Sequence, residues 1–299
     1  MYKIIQKKNI LFAVSLAAII VSIVFVALGG IKMGIDFTGG TLLEVQFQNA
    51  VPTNQEITDS LTSLKLIDLK IQSGAGKDIV MRMKEISSDQ HLQILSKLQE
   101  KFGNVSEIRF DSIGPVIGKE LQIKAIIALI LVLLGIIFYL AYAFRKITGS
   151  LVSSWSFGLN AILALIHDVI ITIGFFAILG YFFNIEIDTL FVTALLTIIG
   201  FSVHDTIVVF DRIREGLKKH YGEPFANIVN NSINETIVRS INTSFTTLLV
   251  LTALFIFGGE TIRYFALALI FGIIVGTYSS IFIASMLLLV WYNIRQKRA

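Results

Sequence analysis

Long apolar runs divide the 299 residues into six spans, with one long mixed stretch after the first of them. Asn9–Ile31, Ala125–Phe144, Ser240–Gly259 and Tyr264–Ile294 contain no Asp, Glu, Lys or Arg. Ile147–Phe183 and Ile187–Phe210 are uncharged except for Asp168, Asp188 and Asp205. A hydrocarbon core of about 30 Å is crossed by about 20 apolar residues of helix, so every run is long enough to span. The pattern predicts six membrane helices. Lys7 and Lys8 precede the first run, as basic residues precede a signal peptide, but the run exceeds the about 7–15 apolar residues of a cleavable one. It reads as an uncleaved first helix.

The stretch from Lys32 to Lys124 has other periods. "TLLEVQF" (Thr41–Phe47) alternates as a half-buried strand does. Thr53 followed three residues later by Glu56 is a capping-box start for a helix. "LIDLKIQS" and "DIVMRMK" predict two strands joined by a "GAGK" turn. "SSDQHLQILSKLQEKFG" predicts an amphipathic helix with Leu92, Leu95 and Leu98 at helical spacing and Gly103 as its stop. "VSEIRFDSIG" predicts a last strand. The order is βαββαβ, the split unit of ferredoxin-like domains. The expected fold class is therefore membrane α-helical, six transmembrane helices with one βαββαβ ferredoxin-like domain between helices 1 and 2. It divides as residues 1–31, 32–121 and 122–299. "GIDFTGG" (Gly34–Gly40) lacks the lysine and following helix of a phosphate-binding loop. It reads as a tight turn that Asp36 could fix through a local hydrogen bond. His91, the one histidine of this stretch, is expected at the surface.

Orientation follows from the basic residues. Lys3, Lys7 and Lys8, then Arg145 and Lys146, then Arg212, Arg214, Lys218 and Lys219, and finally Arg295, Lys297 and Arg298 all fall on one side of a six-span arrangement. The opposite short loops, around Asn184–Asp188 and Gly258–Arg263, hold one basic residue between them. The positive-inside rule then places both termini in the cytoplasm, the 32–121 domain outside, and Trp155 and Trp291 at cytoplasmic interfaces. Composition agrees: 55% hydrophobic, 15% charged and a mean hydropathy of +0.77, against about 25% charged in soluble domains. There is no cysteine, which excludes disulfides, thiolate metal sites and cysteine nucleophiles. The net charge of +4 sits in loop ends and is a topology signal, so no nucleic-acid partner is expected.

The chemistry lies in the charges inside the bilayer. Asp168 falls near the centre of helix 3 and Asp205 near the cytoplasmic end of helix 4, each directly after a histidine, His167 and His204. A charged aspartate at a helix centre costs about 2.5–3.5 kcal/mol and normally faces the bundle interior or a wet cavity. Helix 5 opens "NETIVRSINTSFTTLLV", so Arg239 stands at about the depth of Asp205, sharing a face with Asn242, Thr243 and Thr246. Thr193, Thr197, Gly200 and His204 share a face of helix 4, and "GIIVG" (Gly272–Gly276) with Ser280 makes a small-residue packing pattern on helix 6. Two readings stay open. Asp205 and Arg239 form a structural ion pair, or they form a proton relay, since desolvation and a nearby arginine push a carboxylate's proton affinity in opposite directions. Asp168 is likewise either on the proton path or a helix-packing contact. An intramembrane aspartyl protease is excluded: the depths estimated from the run ends differ by about 10 Å, too far to share a proton. No cofactor is expected, with protons, or Na⁺ on the same carboxylate and hydroxyls, as the coupling ion.

These residues, taken in order, resemble the SecD/SecF family of protein-export membrane proteins, and within it the SecF members, over essentially the full length. The resemblance rests on "GIDFTGG", a βαββαβ domain ending in "IGPVIGKEL", "LIHDVIITIG", "VHDTIVVFDRIRE" and "NETIVRSINTSFTTLL". It implies a subunit that pairs with SecD in the bacterial inner membrane in an assembly like the resistance–nodulation–division exporters. It implies use of the proton-motive force to help unfolded preprotein through the SecYEG channel on the outer side, after SecA has acted with ATP. Asp205 would then carry the proton, with Arg239 as its charged partner. The alternatives are a proton-coupled small-molecule exporter subunit of that superfamily and a passive subunit that stabilises a translocon.

Overall fold

The computed structural model describes residues 2–48, 51–73, 77–143, 154–219 and 222–296. The chain forms two compact units, Met33–Ile126 and the remainder, Met1–Lys32 with Ile127–Ala299.

The smaller unit follows a two-residue strand β1 (Lys32–Met33) with α2 (Ile35–Thr38), β2 (Gly40–Phe47), α3 (Asn54–Leu61), β3 (Lys70–Ser73), β4 (Asp78–Met83), α4 (Ser88–Phe102) and β5 (Val105–Ile113). The main sheet runs β3-β4-β2-β5 and all its pairings are antiparallel. Leu43, Val45 and Phe47 of β2 alternate into a core that Ile79 and Met81 of β4, Ile57 and Leu61 of α3, and Ile94 and Leu98 of α4 complete. The apolar face of α4 is thus Ile94, Leu98 and the half-buried Leu95, while Leu92 is exposed. The leucine spacing misled because Leu92 lies about 160° round the helix from Ile94. "GIDFTGG" is a single helical turn, α2, closed by Thr38 donating to the Gly34 carbonyl over 3.0 Å. Gly39 (φ +73°) and Gly40 (φ +130°) then turn the chain into β2 through conformations that only glycine adopts without strain. The "GAG" of the expected hairpin turn lies outside the described residues. His91 is not a bare surface residue: it bonds Glu107 at 3.0 Å and stacks on Phe110.

The capping box at α3 is formed: the Thr53 hydroxyl accepts from the Glu56 amide and the Glu56 carboxylate accepts from the Thr53 amide at 2.8 Å. Bonds donated to this carboxylate, by the Thr53 amide first and by the Thr53 hydroxyl second, hold the Glu56 carboxyl below its ordinary range. A depressed carboxylate stabilises above its unfolded pKa of about 4.3 and loses that contribution as pH falls through its folded value. Hydrogen-exchange protection of the first turn of α3, corrected for intrinsic rates, should therefore hold down to about pH 4.5 and decline below it. Glu56→Gln, which still accepts the amide, should flatten this dependence; identical curves for both proteins would refute it.

The larger unit consists of α1 (Lys8–Ala27), the membrane part of α5 (Pro115–Ala143), α6 (Ser154–Phe183), a short strand β6 (Glu186–Ile187), α7 (Thr189–Lys219), α8 (Phe225–Phe257), α9 (Glu260–Tyr278), a wide π-helical turn at Ser279–Ala284 and α10 (Ser285–Gln296). Six helical segments are long and apolar enough to cross a membrane, the last running from α9 through α10. α6, α7 and that last segment are half-buried or more, whereas α1, α5 and α8 show most of their surface outward. Apolar clusters fill the bundle: Phe157 meets Phe210 edge-on at 5.3 Å, and Leu195 and Ile198 pack with Leu269 and Ile273. Asn234 clamps the N-terminal segment ahead of α1, accepting from the Tyr2 amide at 2.8 Å and donating to its carbonyl at 2.9 Å. Three boundaries overrun the uncharged runs by more than two turns, the first at the start of α5, where Pro115 lies ten residues ahead of Ala125. α7 continues through Arg212 and Arg214 to Lys219, and α8 begins at Phe225, about four turns ahead of Ser240. Hydropathy marks what lies in lipid, while backbone hydrogen bonds carry a helix on into water. Arg145, Lys146, Lys297 and Arg298 of the orientation argument lie outside the described residues.

Candidate functional site

Two polar centres interrupt the apolar bundle. The first is Asp168, fully buried on α6. Its Oδ1 lies 2.9 Å from His167 Nδ1, and its Oδ2 accepts from the hydroxyls of Ser202 on α7 at 2.6 Å and Ser279 at 2.7 Å. Ser280 continues the network, donating to the Ser202 carbonyl at 3.0 Å and accepting from Thr206 at 2.8 Å. Gly276 makes room for it: a Cβ there would stand 3.1 Å from that of Ser202 and 3.7 Å from the Asp168 carboxylate. The "GIIVG" pattern is therefore a packing surface, with Gly272 against Ile198 of α7.

The second centre is Asp205 on α7. Its Oδ1 accepts from the hydroxyl of Ser240 on α8 at 2.8 Å, and its Oδ2 is buried without a partner. Ser244, one turn along α8, donates to the Ser240 carbonyl at 2.9 Å and meets the Thr277 hydroxyl at 2.5 Å. The ion pair that one of the two readings put between Asp205 and Arg239 is not formed; the side chain facing Asp205 is Ser240. The reason is helical phase: neighbouring residues diverge by about 100°, so only one of Arg239 and Ser240 can face α7.

That phase defines a surface. His204 and Arg239 each precede the residue that makes the α7–α8 contact, and consecutive spans run antiparallel. Both side chains therefore turn to the same side of the helix pair, and both are exposed. Thr193, Thr197 and Gly200 continue the exposed stripe along α7, and Asn242, Thr243 and Thr246 along α8. The stripes foreseen from spacing are thus real, but they face away from this chain's own interior. The hydroxyl partners Ser202, Ser240, Ser244, Thr277 and Ser279 were not foreseen. Serine and threonine recur throughout these spans, and nothing in their spacing says which of them meets a carboxylate.

The two aspartates lie closer in depth than the run ends implied. Ser202 is level with Asp168, and Asp205 follows it by three residues, about 4.5 Å along α7. The run ends misled because α7 overruns its apolar segment. The carboxylates nevertheless have separate partners and share no proton, so an aspartyl-protease dyad is absent from the site. Among the described residues no cluster of three or more His, Cys, Asp or Glu could hold a metal ion.

Comparison with known proteins joins these centres to the rest of the chain. The family model "Protein export membrane protein SecD/SecF, C-terminal" matches residues 93–294, which contain His167, Asp168, His204, Asp205 and Arg239. "SecD/SecF GG Motif" matches residues 24–51, around Gly39 and Gly40. The protein translocase subunit SecF of Thermobaculum terrenum is 44% identical over 98% of this chain and 95% of its own length. That of Anaerolinea thermophila is 39% identical over 97% and 94%. A crystal structure of SecDF from Thermus thermophilus, described as a translocon-associated membrane protein, superposes with a TM-score of 0.85 at 34% identity, covering 98% of this chain. The present chain spans 39% of that longer SecDF chain. With both family models falling on the residues that build the turn and the buried centres, and relatives matching it end to end, the chain belongs to the SecF family of protein translocase subunits.

Proposed function

We propose that this chain is the SecF half of a SecD–SecF complex that uses the proton-motive force to assist preprotein movement through SecYEG. The single observation that carries the reading is the half-satisfied carboxylate of Asp205. One oxygen is held by Ser240, the other has no partner, and His204 and Arg239 flank it on an exposed polar stripe. A carboxylate that is to take up and release an ion needs an unbonded oxygen, and Asp205 has one beside the exposed His204. One proton crossing 100 mV is worth about 2.3 kcal/mol, enough to drive a conformational equilibrium about fiftyfold.

The stripe also supports the partnership. An arginine and a histidine do not face lipid without cost, so a second membrane subunit covers them, and SecD, joined to SecF in the SecDF structure, is that subunit. In this reading the chain is multi-pass in the bacterial inner membrane with both termini cytoplasmic. Its Ile35–Leu121 region is an extracytoplasmic ferredoxin-like domain, a reading supported by the βαββαβ order and the β3-β4-β2-β5 sheet. The role is transport, without a cofactor beyond the coupling ion.

Arg239 gives the test of the stripe. Arg239→Leu should lower gradient-driven export in vesicles by about tenfold or more, through loss of the positive charge on the stripe that flanks Asp205. Arg239→Lys should keep part of it, because the charge remains while the planar fork is lost. Full gradient-driven export by the leucine form would remove Arg239 from the mechanism.

A further inference from the structure

Asp168 and Asp205 differ in one respect that spacing could not reveal. Both oxygens of Asp168 are bonded, one to His167 and the other to two hydroxyls, in a fully buried site where His167 Nε2 alone is left without a partner among the described residues. At Asp205 one carboxylate oxygen, itself buried, has no partner. A closed carboxylate fits a fixed joint and an open one fits an exchanging ion.

What Asp168 joins is unusual. Its donor Ser279 is the first residue of the wide turn Ser279–Ala284 in the last membrane segment. Four consecutive side chains at the mouth of that turn each bond a different helix. Thr277 meets Ser244 of α8, Tyr278 donates to the Leu11 carbonyl of α1 at 2.9 Å, Ser279 donates to Asp168 of α6, and Ser280 donates to the Ser202 carbonyl of α7. Side chains about 100° apart can reach four neighbours only where the helix lies at the centre of the bundle. Wide turns inside membrane helices need such anchors, because the extra residue breaks the ordinary backbone ladder. The last link returns to the ion site: the Ser244 proton goes to the Ser240 carbonyl, so Thr277 is the donor to Ser244, and Ser240 in turn donates to Asp205.

We propose that Asp168 is a positioning residue: by holding Ser279 it fixes the wide turn so that Thr277 engages Ser244 and keeps Ser240 aimed at Asp205. The proposal rests on the reading that Asp205 carries the coupling ion, and it takes Asp168 itself off the ion's path.

A cross-link can replace the joint. The chain has no cysteine, so Ser244→Cys with Thr277→Cys forms a single addressable pair across the α8–α9 contact. Full-length protein would be reconstituted with a cysteine-free SecD partner in vesicles, and gradient-driven export measured beside co-purification of the two subunits. Asp168→Asn and the milder Ser279→Ala should co-purify with SecD at the wild-type level and lose about tenfold of gradient-driven export. Ser279→Thr, which keeps the hydroxyl, should retain it. In the double-cysteine background, oxidation should restore export to Asp168→Asn and Ser279→Ala, and reduction should remove it again. Failure of the cross-link to rescue Asp168→Asn would overturn the proposal, since a direct ion carrier cannot be replaced by a disulfide elsewhere. So would full activity of both single variants, or loss of export on oxidising the double-cysteine protein with Asp168 intact. Asp205→Asn, assayed in parallel, separates this from the underlying reading: if that form is active, the ion-carrier assignment fails, whatever the joint does.

Discussion

Asp205→Asn is expected to reduce gradient-driven preprotein export to background while the protein still assembles with SecD. Asparagine has the size of aspartate, and its carbonyl oxygen can still accept from Ser240, whose hydroxyl lies 2.8 Å from Asp205 Oδ1. The α7–α8 contact therefore persists. What is lost is the ability to bind and release a proton at the oxygen that has no partner. The driving force at stake is about 2.3 kcal/mol per charge at 100 mV, about fiftyfold in an equilibrium, so the expected loss is of that order. The measurement is export into vesicles carrying SecD with either form of this chain, with and without an imposed gradient. Equal stimulation of the two by the gradient would reduce Asp205 to a structural bridge between α7 and α8.

The second large effect concerns the seam between α1 and α6, and it is expected from Gly180→Leu. A Cβ at Gly180 would stand 2.0 Å from the backbone oxygen of Gly30, one at Gly174 would stand 2.1 Å from the Cβ of Ser22, and one at Gly30 would stand 2.3 Å from the Ala177 carbonyl oxygen. These are backbone atoms and a short side chain, with no flexible end to swing away. Leucine at Gly180 must therefore push α1 off α6. Overpacking of this kind costs about 1–3 kcal/mol or more, which for a chain of this size lowers the melting temperature on the order of 2–5 °C. Gly135→Leu is the matched control, because nothing lies within 4 Å of a Cβ there. Thermal unfolding in detergent, with the amount of folded protein recovered from membranes, checks both. If Gly180→Leu melts with the control, the seam is looser than its geometry.

Both effects depend on contacts that differ in how visible they are along the chain. The spans, their number and the charges they carry are legible because lipid imposes a length and a polarity on every crossing segment, whatever packs beside it. The capping boxes at Thr53 and Ser87 are equally local, formed within four residues. The "GIIVG" pattern could be seen as a packing surface, whereas Gly174 and Gly180, six apart in "GFFAILG", follow no small-residue pattern. Their need is set by Ser22 and Gly30, about 150 residues away.

Residue pairing was the hardest to foresee. Sequence alone determined that Asp168, His204 and Asp205 lie in apolar segments, with Arg239 at the edge of another, and therefore need polar company. It also determined which side of each helix the stripes at Thr193–His204 and Arg239–Thr246 occupy, since helical phase is a property of one helix. Only the tertiary structure decided that Ser240 rather than Arg239 meets Asp205, that Asp168 is closed by Ser202 and Ser279 while Asp205 stays open, and that a wide turn interrupts the last helix at Ser279. The physical reason is that a hydroxyl or a guanidinium suits a buried carboxylate equally well in principle. The choice between them falls to the rotation of one helix against another, which the packing of the whole bundle sets.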